Sequence, residues 1–106
     1  MIPKKTIEDL ISKHLLLEKE LSSGEVDKKL FAEKSKEYSD LNEIVEDAKK
    51  YFSYDNEKQD LEKILEDSSS DDDFKSMAQN ELVSLKSENE LREKKLKLFL
   101  LPKDEA

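Results

Sequence analysis

A single glycine, Gly24, and two prolines, Pro3 and Pro102, are the only residues of the two strongest helix- and strand-breaking types in this sequence. β-Sandwiches and barrels turn every few residues, and glycine and proline supply many of those turns. From Asp27 to Glu66 neither residue occurs. The chain is therefore expected to run as a few long rods, and its residue types say of which kind. Sixteen leucines stand against eight isoleucines and valines together and one threonine, while 43% of all residues are charged. Leu, Lys and Glu lose little side-chain freedom in a helix, whereas β-branched residues lose more. The predicted fold class is all-α.

The same inventory excludes several functions. Without cysteine there is no disulfide framework and no Cys-based zinc site. One histidine, His14, excludes every motif that needs two. No apolar run exceeds the four residues Leu98 to Leu101, too few to span a bilayer. Lys4 and Lys5 are followed by Glu8 and Asp9 rather than an apolar stretch, so no secretory signal is expected and the chain reads as soluble and cytoplasmic. A net charge of −8 repels phosphate backbones, so direct nucleic-acid binding is not expected. A mean hydropathy of −0.88 is compatible with disorder, but the periodicity argues against it.

Three helices are predicted, over about residues 6–22, 27–66 and 72–101. In the first, Thr6 is the expected cap, and Ile7, Leu10, His14, Leu17 and Leu21 recur at alternating spacings of three and four, a coiled-coil-like seam. Ile11, Leu15 and Leu16 would widen that seam to a bundle-type face, and Gly24 stands where a C-cap glycine belongs. In the second, Asp27 is the expected N-cap, with Val26 and Phe31 placed for a hydrophobic staple. Its seam reads Phe31, Lys34, Tyr38, Leu41, Val45, Ala48 and Phe52, and then changes phase to Tyr51, Tyr54, Leu61 and Leu65. That change predicts a stutter or bend near Asp55 and Asn56. The loop Asp67 to Asp73 (DSSSDDD) carries four negative charges, and its Ser70 or Asp71 is placed to cap the third helix. The inner face of the third helix reads Phe74, Ala78, Leu82, Leu85, Asn89, Arg92, Leu96 and Phe99, and Pro102 stops it. Rods so unequal predict an antiparallel hairpin or three-helix bundle, with the first helix along one half of a long middle helix and the third folding back along the other.

Chemistry is thinly supported. His14 lies on an inner seam, where packing or a partner contact accounts for it better than catalysis does. Carboxylate pairs such as Glu43 and Asp47 arise by chance among 27 acidic residues. The run Asp71 to Asp73 lacks the alternating ligands, central glycine and distal Glu of an EF-hand, and reads as a solvated helix start. Tyr38, Tyr51, Tyr54 and Phe52 lie in a net-negative stretch, so packing is favoured over base stacking. Arg92, Lys94, Lys95 and Lys97 form the one basic cluster and suit the negative end of a helix. No catalytic residue, metal ligand or cofactor site is assigned.

Two segments carry a resemblance. Phe31 to Leu41 (FAEKSKEYSDL) and Met77 to Asp104 (MAQNELVSLKSENELREKKLKLFLLPKD) resemble the N-terminal helical domain of the bacterial and organellar peptide chain release factor 1 family, class I factors of translation. The string Met77-Ala78-Gln79-x-Glu81-Leu82 and the ending Leu100-Leu101-Pro102-Lys103-Asp104 are the most specific parts, and the resemblance extends over essentially the whole chain. It implies that residues 1–106 are one N-terminal helical domain of a longer protein. In that family a Pro-x-Thr tripeptide reads UAA and UAG, and a Gly-Gly-Gln loop hydrolyses peptidyl-tRNA. Neither is here: there is one glycine, Pro3 and Pro102 are followed by lysine, and Thr6 is the only threonine. The implied role is a non-catalytic docking module. The implied partners, met through the parent protein, are the ribosome near the L11 stalk base and release factor 3. The isolated chain is expected to be a monomer without cofactor. The alternative is a free-standing coiled-coil adaptor that self-associates through its leucine seam.

Overall fold

The structure, a computed structural model, describes residues 1–102. Three helices follow in order: α1 Lys4–Ser23, α2 Lys28–Glu66 and α3 Asp72–Leu100. The described residues contain no strand. Both outer helices pack antiparallel on α2, and no Cα atom of α1 comes within 8 Å of one in α3. The result is a rod of 61 × 33 × 20 Å. Its long dimension is that of α2, whose 39 residues at 1.5 Å each give about 58 Å. The radius of gyration is 18.5 Å, against about 13 Å for a compact domain of this length.

Caps account for most of the boundaries. Gly24 adopts φ 73°, a left-handed conformation that glycine tolerates and that ends α1. Asp27 caps α2 by accepting from the Lys29 N–H at 3.0 Å. Asp71 rather than Ser70 caps α3, accepting from the Phe74 N–H at 2.7 Å, with Asp72 and Asp73 in its positive first turn. α3 ends at Leu100, one residue before the predicted limit, and Pro102 follows its C-cap Leu101.

The start of α1 differs from expectation. It begins at Lys4, and Pro3 rather than Thr6 is the N-cap, without a side-chain acceptor. The reason is tertiary. Ile2 is buried and its N–H donates to the Tyr51 hydroxyl on α2, which fixes the path of the chain before the helix begins. Thr6 is thereby a helical residue, its N–H bonded to the Pro3 carbonyl.

The core joins Ile2, Ile7, Leu10 and Leu17 to Leu41, Ile44 and Ala48 of α2 and to Leu96 of α3. The α1 seam is thus buried as predicted through Leu17, with Leu21 half-buried, and Ile11 packs against its edge. Leu15 and Leu16 instead face out, because a helix lying on one neighbour buries a single narrow stripe. α2 is unbroken through Asp55 and Asn56. Its change of phase comes earlier: Ile44 is buried, and Tyr51 turns inward to receive the Ile2 N–H, leaving Phe52 at the surface. Phe31 and Phe74, each assigned to an inner face, are about half exposed at 51% and 49%. Each lies near an end of the molecule where only two helices meet, so nothing covers its outer edge.

Candidate docking surface

The residues singled out for chemistry are scattered or occupied. His14 is buried, stacks on Tyr38 with ring centroids 4.9 Å apart, and places Nε2 3.1 Å from Asn42 Oδ1. No carboxylate or nucleophile is among these contacts, so the ring works as a polar tie between α1 and α2. Tyr51 and Tyr54 are half-buried along α2 and serve packing. Asp71 is consumed as a cap. Asp67 accepts from the Ser69 hydroxyl at 2.6 Å and from its N–H at 2.9 Å, and these bonds hold its carboxyl below the ordinary carboxylate value. Among the described residues no group of three or more His, Cys, Asp and Glu is arranged to hold a metal ion, and no helix is long and apolar enough to cross a membrane.

The basic cluster divides in two. Arg92 turns inward, its side chain 15% exposed, between Asp47 of α2 at 3.7 Å and Glu88 at 3.2 Å. Lys97 pairs with Glu93 at 3.2 Å, and Glu93 also meets the N-terminal ammonium at 3.0 Å. The hydrogen bond from that ammonium, and then the one from Lys97, hold the Glu93 carboxyl below its ordinary value, while Glu93 raises the Lys97 ammonium. Only Lys94 and Lys95 remain as outward charges without an ion pair among the described residues. No basic stripe results among the described residues.

What the surface does offer is concave space between helices. A groove of about 860 Å³ separates α1 from the end of α3, with α2 as its floor. A shallower one of about 510 Å³ lies between the second half of α2 and the first half of α3, where Glu57, Asp60, Glu81 and Glu88 make it acidic. A third, of about 210 Å³, lies beside the N-terminus, lined in part by Ile2, Tyr51 and Asn89. Asn89 Oδ1 is buried there without a hydrogen-bond partner.

The sequence reading missed the first groove. Its signal was present in Leu98 to Leu101. Four consecutive apolar residues at 100° per residue surround a helix, so a single neighbour cannot bury them all. Phe99, Leu100 and Leu101 accordingly wall the groove.

Fold and surface together define a helical-hairpin scaffold that offers faces and grooves. The chain belongs to the family described as the PCRF domain, which matches residues 10–106. Among its relatives, "Peptide chain release factor 1" of Pelagibacter ubique is 79% identical over all 106 residues. The proteins of that name from Lactococcus lactis subsp. lactis and Wolbachia pipientis are 38% and 40% identical over 92% and 93% of the chain. The chain spans 28 to 30% of the length of these curated relatives. No solved structure matches. Of the strings that carried the resemblance, Lys103 and Asp104 lie outside the described residues.

Proposed function

We propose that this chain is the N-terminal helical domain of a peptide chain release factor that ends translation at UAA and UAG, and that the domain is a non-catalytic docking module. The observation that carries the reading is the 79% identity, over the full chain, to a protein named peptide chain release factor 1. Two features support the docking role. The residues singled out for chemistry serve packing, caps and ion pairs, with no nucleophile among the contacts of His14. The acidity is concentrated in α2 and the following loop, where residues 25–66 sum to −5 and residues 67–73 to −4. Such a surface suits a protein contact better than ribosomal RNA. The proposed partners are the protein component of the L11 stalk base and release factor 3, and the proposed setting is the cytoplasm. The leucine seam is already filled from within one chain, so we propose a monomer and not a self-associating adaptor.

The test is a reconstituted termination reaction with the full-length factor and a variant lacking residues 1–102. The reading predicts an unchanged hydrolysis rate at saturating factor, a higher factor concentration for half-maximal release, and loss of stimulation by release factor 3. Loss of hydrolysis at saturation would contradict it, because the domain would then take part in the chemistry.

A further inference from the structure

We propose that the groove between α1 and the end of α3 is a seat for a basic amphipathic helix supplied by a protein partner; the proposal rests on the docking reading above and names its surface and the chemistry of its occupant. The groove exists because α1 and α3 both lie on α2 with no Cα atom of one within 8 Å of the other. Helices in direct contact have axes about 8–10 Å apart, so this spacing leaves a channel with α2 beneath. Leu10 and Leu41, both buried, supply its floor. Phe99, Leu100 and Leu101 supply an apolar wall and are 37%, 40% and 50% exposed. The groove, about 860 Å³ and open on its outer side, can take one face of a short helix about 10 Å across. Two turns of such a helix present apolar side chains at i, i+3, i+4 and i+7 to its wall and floor.

Charge names the partner. On the rim Asp9 is held by Lys5 and Glu37 by Lys13, both as ion pairs. Glu33, Asp40 and Glu43 have no ion pair among the described residues and face one lysine, Lys36. The unpaired rim is therefore acidic, and the helix it accepts carries Lys or Arg beside its apolar stripe. Phosphate backbones are repelled by that rim, and a second copy of this chain would bring the same carboxylates against it.

The test uses the 106-residue chain and a fluorescent 16-residue peptide with Leu at i, i+3, i+4 and i+7 and Lys at the flanking positions, read by anisotropy. A scrambled peptide of equal composition controls for charge alone. The proposal predicts that scrambling weakens binding about tenfold or more, and that Leu101→Asp does the same. Asp40→Lys with Glu43→Lys weakens it a few-fold and flattens its salt dependence. Leu98→Asp, on an exposed residue outside the groove, leaves it unchanged. Leu100→Ser repeats the wall test should Leu101→Asp lose its helical circular dichroism. Equal binding of the scrambled peptide, or wild-type binding by the wall variants, overturns the assignment. So does tighter binding of a single-stranded RNA, or a dimer in light scattering that Leu101→Asp dissolves. The two readings fail separately. Peptide binding with termination indifferent to residues 1–102 keeps the groove and sinks the docking role, whereas domain-dependent termination without peptide binding does the reverse.

Discussion

The middle of α2 and its C-terminal part live in different surroundings. Around Leu41 to Ala48 the helix is flanked by α1 on one side and the end of α3 on the other, and there Ile7, Ala48 and Leu96 are completely buried at 0% exposure. Beyond Ala48 no residue of α2 is fully buried, and its partner stretch of α3 contributes only Ala78 and Leu82. The lesson is geometric. Two helices seal one stripe, and a third layer is needed before a large side chain loses all contact with water. Leu61 and Leu65 are as apolar as Leu41, yet they stay half-buried because nothing lies across them.

Truncations should sort by region accordingly. Leu96→Ala and Ile7→Ala should cost about 2–5 kcal/mol each, since a sealed site collapses poorly around the lost volume. Leu82→Ala, in the two-helix arm, should fall at the low end of that range or below it. Urea unfolding of the three variants checks the order, and equal losses would erase the distinction. Next in size are the caps: Asp71→Ala should cost about 1 kcal/mol, as should Gly24→Ala, which forces a Cβ into the left-handed region. The cap loss should melt the arm and spare the three-helix zone, which residue-resolved hydrogen exchange would show.

A smaller effect points the opposite way. Asn89 Oδ1 is buried without a partner, so Asn89→Leu should be neutral or stabilising by up to about 1 kcal/mol. A clear loss of stability in urea would show that the amide is engaged. The smallest effect tracks pH. The Glu93 carboxyl is held low by the N-terminal ammonium and Lys97, so its contribution is present above the ordinary carboxylate range and lost as pH falls through the lowered value. The ion pairs are exposed, and Glu93→Gln should remove less than about 1 kcal/mol at pH 7 and nothing at pH 2. Denaturant midpoints at the two pH values give the comparison.

Much of the fold was legible because it depends on local rules. Asp27, Gly24 and Pro102 mark helix ends through cap chemistry that needs no neighbour. The seam from Ile7 to Leu17 could be read because α1 meets one partner along one stripe. Reading failed where contacts distant in sequence decide. Nothing near Thr6 tells that Ile2 will anchor to Tyr51, 49 residues away, and so start α1 early. Periodicity alone placed Phe52 inside, because it cannot know that α2 changes neighbours around Ala48. The groove was hidden for the same reason: Leu98 to Leu101 read as the close of a helix, and their role as a wall depends on where α1 lies.

α3 returns far enough along α2 to close a three-helix core with α1, while the far arm remains a two-helix hairpin. Amide hydrogen exchange on the 106-residue chain tests it most directly. The slowest amides should lie around Ile7, Ile44, Ala48 and Leu96, and those from Leu61 through Ala78 should exchange at least about tenfold faster, a local opening about 1.4 kcal/mol easier. Uniform protection along α2, or protection greatest in the far arm, would contradict the account.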